Sequence, residues 1–307
     1  MRSVALTWAL VSLVACAGGQ RTASGGVASP PPAPAAVPSP SAQASKPAPA
    51  HAAKPAPLPD LVHYGPSAMR YVVRRELHVE QAYGGKQQSQ DLAALIYVRV
   101  SISGPADTGG YPVSFIVDSV VPDSGMPQVV TDNMARVRAV MLRGRLRSDG
   151  DFRGNVQMDT TIAQNIAQFV ANFHDFFPRI PAAGVRVGEQ WTDTVAGSQR
   201  AGESEVTRRA VVYSQAPAWD VRNGTRSLRI EATTRYTVSG AGQNSGQPFE
   251  LSGGGATASQ GFLAEDGRFL GGESHDSTDM TISLPVQGLA IPVRQRSHST
   301  VTAFLLP

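Results

Sequence analysis

A turn that occurs twice constrains this chain more than any other stretch. It reads G-R-L-R-S-D-G-D-F-R-G from Gly144 to Gly154 and G-F-L-A-E-D-G-R-F-L-G from Gly261 to Gly271. Six positions agree in one register, 117 residues apart. Asp-Gly between alternating apolar residues is a hairpin signal. A two-residue loop sets Leu146 against Arg153 and scrambles the faces. A three-residue loop, Ser148-Asp149-Gly150, puts glycine where a left-handed residue is needed. That loop pairs Leu146 with Phe152, Gly144 with Gly154 and Leu142 with Val156, and turns Arg143, Arg145 and Arg147 to the other face. The second copy then sets Leu263 against Phe269 and Gly261 against Gly271. Duplication accounts for the repeat; convergence on a common turn is the alternative.

Period-two alternation extends well beyond the turns. Tyr71, Val73, Leu77 and Val79 share a face, with Arg74, Glu76, His78 and Glu80 opposite. Ile96, Val98, Val100 and Ile102 form a second such set, and Leu228, Ile230, Ala232, Tyr236 and Val238 a third. One polar face per strand predicts an antiparallel sheet covered on one side. Further strands are expected near Pro112–Val121, Glu189–Val195, Glu205–Ser214, Phe249–Ser259, Arg268–Ser283 and Leu289–Leu305. Two helices are expected as well. One covers Pro127–Val137; the other covers Ile162–Phe177, where Thr161 and Gln164 make a capping box and Pro178 a stop. The second carries Ile162, Ile166, Phe169, Phe173 and Phe177 on one stripe. The fold class is therefore α+β, mainly antiparallel β: a curved sheet or half-barrel with one or two helices packed on it. Its halves would be 60–180 and 181–307, and the helix has no counterpart in the second half.

The N-terminus supplies an address. Arg2 precedes an apolar run, Val4 to Ala15, shorter than the roughly 20 residues that span a bilayer. Leu13-Val14-Ala15-Cys16 resembles the bacterial lipobox, which implies a signal at 1–15 and a lipid on Cys16, the single cysteine of the chain. Ala17, not aspartate, follows it, which implies the periplasmic face of the outer membrane. Residues 16–59 are rich in Ala, Pro and Ser, bury almost nothing and read as a tether. Arg2, Arg21, Lys46 and Lys54 lie before residue 60, so the remaining domain, 60–307, has 23 of the 27 basic residues against 24 acids. The pI near 9.2 thus belongs to signal and tether and does not point to nucleic acid.

With its low-complexity tether and its V-G-x-x-W step (Val187, Gly188, Trp191), the chain resembles bacterial lipoproteins of unknown function. In architecture, strands around a helix resemble LolA- and LppX-type periplasmic lipoprotein carriers, whose half-barrels hold acyl chains. That resemblance implies an apolar ligand between sheet and helix, and the glycine pairs Gly144/Gly154 and Gly261/Gly271 would leave room for a helix or an acyl chain.

Catalytic signatures are absent: no serine-hydrolase elbow, no phosphate-cradling glycine loop with lysine, no H-E-x-x-H. Glu273 and His275 share a strand face, the alternative reading being a metal site or an acid/base pair; the hairpin register sets them against Ser259 and Thr257, so a solvated face is expected, with no metal and no cofactor. His174-Asp175 reads as a solvated helix end. The arginine row Arg143, Arg145, Arg147 and Arg153 reads as a soluble edge, the alternative being a contact for lipid headgroups or acidic polymers. The functional expectation is a membrane-anchored envelope protein holding a lipid or other apolar ligand. The alternatives are a tethered structural or interaction module and, behind both, an envelope enzyme.

Overall fold

Alternation carries these strands well past the common length of five or six residues. The computed structural model describes residues 61–83, 85–123, 141–156, 176–201, 204–244 and 246–305. In chain order the strands are β1 (Ser67–Tyr83), β2 (Lys86–Ile102), β3 (Tyr111–Pro122), β4 (Met141–Leu146), β5 (Phe152–Val156), β6 (Gln190–Ala201), β7 (Ser204–Gln215), β8 (Trp219–Arg222), β9 (Thr225–Asn244), β10 (Gln247–Ala264), β11 (Phe269–Leu284) and β12 (Leu289–Leu305). They make one antiparallel sheet ordered β5-β4-β3-β2-β1-β12-β11-β10-β9-β7-β6, with the short β8 also paired to β9.

A strand of 20 residues, as in β9, runs about 65 Å, more than one core needs. The buried face accordingly holds two apolar clusters. The larger gathers Met69, Tyr71, Val98, Val100, Phe115, Leu142, Leu146, Phe152, Ile230, Leu263 and Phe269. The second, further along the same strands, contains Val79, Phe249, Leu251, Met280, Ile282, Leu284, Ile291 and Val293. The sheet is bent at its larger core. Asn223, in the β8–β9 turn, donates a side-chain N–H to the Ala303 carbonyl of β12 (3.3 Å), three strands away.

Both Asp-Gly turns take one geometry. In the first, Arg147 N–H donates to the Asp151 carbonyl (2.9 Å) and Gly150 N–H to the Arg147 carbonyl (3.0 Å); in the second, Ala264 N–H donates to Arg268 (2.8 Å) and Gly267 N–H to Ala264 (2.9 Å). Leu146 faces Phe152 and Gly144 faces Gly154, and Leu263 faces Phe269. Both tips dock on the segments 61–66 and 178–185, which bridge each other at Val62 and Val185. Tyr64 Oη donates to the Pro178 carbonyl (2.6 Å), and Ile180 N–H donates to the Asp149 carbonyl (3.1 Å).

Beyond Leu263 the second hairpin departs from the expected register. Between Gly261 and Leu263 on β10, strand β11 carries one extra residue, so Gly261 faces Gly272 and not Gly271. Gly271 takes φ +95° within this bulge, as an inserted residue in a strand often requires. From Gly272 onward every side chain of β11 lies on the face opposite to the one an unbulged hairpin would give it.

The α+β expectation is corrected. Among the described residues there is no α-helix, only the 3-10 turn Pro285–Gln287, and the architecture is one antiparallel sheet. The expected helix Pro127–Val137 lies outside the described residues. Ile162–Phe177 also lies outside them except at Phe176 and Phe177, which form a bend. The physical reason is that strands of this length give the sheet enough apolar area to close a core on itself, with loop residues filling the remainder.

Gly150 and Gly267 sit at φ +83° and +86°. A Cβ on Gly150 would lie 2.3 Å from the Pro178 oxygen, and one on Gly267 would lie 2.1 Å from the His63 oxygen. Gly150→Ala and Gly267→Ala are each expected to destabilise the fold by about 1–3 kcal/mol, measured by urea unfolding; an unchanged midpoint for either would contradict this docking.

Candidate functional site

The glycine pairs are packed by the protein's own rings. A Cβ on Gly144 would lie 2.7 Å from Phe152 Cε2 and one on Gly154 2.5 Å from Phe152 Cζ, so the Phe152 ring covers that pair. Over Gly261 lie Pro178 and Phe269, at 2.5 and 3.5 Å from the same construction. Gly271 is taken up by the bulge, against the Val301 carbonyl. Phe177 is buried in the larger core, edge-on to Tyr64 (5.7 Å), Phe176 (5.1 Å) and Phe269 (5.9 Å). Ile162, Ile166, Phe169, Phe173 and Cys16 lie outside the described residues, as does His174-Asp175.

Between the two apolar clusters the covered face carries a polar belt. Tyr236 on β9, Gly255 on β10 and Thr278 on β11 stand in one row. With no side chain at Gly255, the tyrosine reaches across β10 and donates to Asp276 (2.9 Å to Oδ2). Its hydroxyl also contacts Thr278 Oγ1 at short range. Thr257 and Thr278 donate to the same carboxylate at 2.7 and 3.0 Å, and the Arg208 guanidinium sits 4.2 Å over the Tyr236 ring. Burial, then the Asp276 charge, pushes the Tyr236 hydroxyl up to about 12, against the opposing hydrogen bond from Thr278 and the Arg208 charge. On the same face Arg75 has its pKa lowered by burial, with Asp276 opposing the shift. A carboxylate held by three hydroxyls at one level of a sheet is a satisfied structural network.

On the exposed face the Gly271 bulge builds a different group. Three residues line up across neighbouring strands: His275 on β11 faces His298 on β12, which faces Glu76 on β1. The two rings stack with centroids 4.4 Å apart and planes 2° from parallel. Both Nε2 atoms lie 2.9 Å from one oxygen, Glu273 Oε1. His298 Nδ1 is 3.5 Å from Glu76 Oε2, and Arg74 Nε donates to the other Glu76 oxygen (2.8 Å). Hydrogen bonds from His298 and then His275 hold the Glu273 carboxyl below the usual carboxylate range. Arg74 and then His298 do the same for Glu76. Glu273, His275 and His298 place three ligand atoms within 4.8 Å of one another.

In the sequence Glu273-Ser274-His275 was visible as a pair on one strand. Its partners were not, because His298 comes from β12, 25 residues from Glu273, and Glu76 from β1, 222 residues from His298. The residues opposite on β10 are Gln260 and Ala258, replacing the expected Ser259 and Thr257.

Three arginines of the row pair with acids, while Arg143 Nε lies 3.1 Å from Met141 Sδ. Arg145 pairs with Asp107 (2.7 Å), Arg147 with Asp149 (3.6 Å), and Arg153 and Arg179 both with Asp151 (2.8 Å). Among the described residues no helix is long and apolar enough to cross a membrane, which says nothing of strands. The exposed faces of β1, β11 and β12 carry charge at Arg74, Glu76, Glu80, Glu273, Asp279 and Arg294. A membrane-spanning barrel instead turns an apolar band outward.

No protein-family model matches this chain, and no curated protein matches it. Among solved structures, Pseudomonas aeruginosa OccK2 (OpdF) aligns over 78% of this chain and 98% of its own, at 11% identity and a TM-score of 0.25. A superposition that loose carries no argument about fold, place or activity. The resemblance to bacterial lipoproteins of unknown function is not upheld, since no family or curated protein stands behind its short motifs. The likeness to LolA- and LppX-type carriers fails on architecture, because no helix lies within the described sheet.

His78 stands between Asp91 (2.6 Å) and Glu80 (3.3 Å), and these hydrogen bonds, Asp91 first, raise its pKa. A raised folded-state pKa gives stability that is complete below the unfolded value, about 6.5, and is lost as pH rises through the folded value. His78→Gln is therefore expected to flatten the decline in stability above about pH 6.5. The effect at this exposed site should stay under about 1 kcal/mol, read from thermal unfolding across pH. A decline equally steep in the variant would contradict the pairing.

Proposed function

We propose that this chain is a tethered module of the bacterial envelope that acts through the exposed surface of its sheet and holds no apolar small molecule within it. The packing over the glycine pairs carries this reading. Phe152, Phe269 and Pro178 fill the space where an acyl chain would lie against the backbone, and Phe176 and Phe177 close the core beside them. An apolar ligand site needs a concave apolar surface left open to its guest; here the apolar surface at the glycine pairs is covered by the protein's own rings.

The tether rests on the sequence. Arg2, the apolar run Val4 to Ala15, and Leu13-Val14-Ala15-Cys16 fit a lipid-modified Cys16, with Ala17 favouring the outer membrane and 17–59 as the spacer. Catalysis has no part in this reading, since the chain carries none of the motifs sought for it.

Two measurements on the full-length chain test the proposal. Cys16→Ser should abolish radiolabelled palmitate incorporation and leave an unprocessed precursor; a variant processed and membrane-bound as before would refute the anchor. Native against denaturing mass spectrometry of the wild type should show no lipid beyond the one on Cys16. A stoichiometric, non-covalent lipid would restore the carrier reading in place of this one.

A further inference from the structure

We propose that Glu273, His275 and His298 form a binding site for a divalent transition ion of the Zn²⁺ or Cu²⁺ class on the exposed face of the sheet. The geometry points to it in three ways. First, His275 and His298 are directly opposed on β11 and β12, where Cβ atoms approach to about 5 Å, and Glu273 stands two residues from His275 on the same face. Two neighbouring strands thus aim three ligand atoms at one place, all within 4.8 Å of one another. Second, both Nε2 atoms converge on a single oxygen, 2.9 Å from each. Third, His298 has an outer partner: Glu76 faces its Nδ1 at 3.5 Å and is itself held by Arg74 at 2.8 Å. A carboxylate on the far nitrogen fixes the tautomer that leaves Nε2 free to ligate, the arrangement that supports histidine ligands in metal sites.

The donor set selects the ion. Two imidazoles and one carboxylate, without thiolate, suit Zn²⁺, Cu²⁺ or Ni²⁺; Mg²⁺ and Ca²⁺ prefer all-oxygen shells. Three protein ligands leave at least one position of a tetrahedral ion to water or to an incoming group. Coordination requires each ring to turn about its Cβ–Cγ bond, since the lone pair lies in the ring plane and the planes now stack in parallel. The side chains of His275 and His298 are 63% and 34% exposed, which leaves room for that turn. His78, one rung away and bonded to Asp91 and Glu80, is not part of the set. This site is independent of whether the core holds a lipid.

Calorimetric titration of the full-length chain with Zn²⁺ after dialysis against chelator is the test, with far-UV circular dichroism confirming that each variant is folded. The expected result is one saturable site per chain, undisturbed by millimolar Mg²⁺ or Ca²⁺ and weakening as pH falls, because ligation displaces protons. His275→Ala and His298→Ala should each weaken binding by at least about tenfold, and Glu76→Gln by about tenfold through the outer shell. Cys16→Ser and His78→Ala should leave it unchanged. The proposal is overturned if neither Zn²⁺ nor Cu²⁺ binds saturably, or if binding survives the folded double variant His275→Ala/His298→Ala.

Discussion

One inserted residue on β11 decides which side chains this sheet buries. Between Leu263 and Gly261 the partner strand advances two residues while β11 advances three, from Phe269 to Gly272. Side chains alternate at period two, so the extra residue exchanges the faces of everything after it. With it, Asp276 and Thr278 enter the polar belt, and Met280, Ile282 and Leu284 complete the second apolar cluster. Glu273, His275 and Asp279 turn to water. Without it these three charged or titratable groups would lie on the covered face, opposite Ser259, Thr257 and Gly253, and three large apolar side chains would lie exposed. Each buried Met, Ile or Leu side chain contributes about 1.5–3 kcal/mol relative to exposure, so the alternative register is disfavoured on both faces. Glycine at 271 serves this geometry, since its φ of +95° is one that other residues rarely adopt.

The polar belt follows from strand length. A strand of 16–20 residues crosses more than one core, and the middle of the covered face is given to groups that satisfy one another: Tyr236, Thr257, Thr278 and Asp276. The tyrosine can do this only because Gly255 offers no side chain in the row between it and Thr278. The same device recurs at the hairpins, where Phe152 lies over Gly144 and Gly154. In both places a glycine makes room for a ring from the same sheet, which is why the gaps in the sequence do not become gaps in the fold.

Much of the strand pattern was legible because it is local. Alternation marked the faces of β1, β2 and β9, and the Asp-Gly turns carried the pairing of Leu146 with Phe152 and of Leu263 with Phe269. The register beyond Leu263 was not legible. Gly271-Gly272 within a strand is a sign of a bulge, yet the symmetry of the two turns argued for pairing Gly261 with Gly271 instead. The stripe from Ile162 to Phe177 suggested a helix on the sheet. At its end the structure shows Phe176 and Phe177 entering the core from a bend, because rings can fill a core from irregular chain as well as from a helix. The grouping of Glu273 and His275 with His298 and Glu76 was beyond sequence reasoning, since it depends on pairing β11 with β12 and β12 with β1.

The face assignment of β11 can be observed directly. In nuclear Overhauser spectra of the folded protein with labelled histidine, the ring protons of His275 should show strong contacts to those of His298, whose ring is stacked on it at 4.4 Å. Contacts from His275 to Thr257 or to Tyr236, on the covered face, would mean that β11 runs without the bulge. The assignment of both faces would then fall.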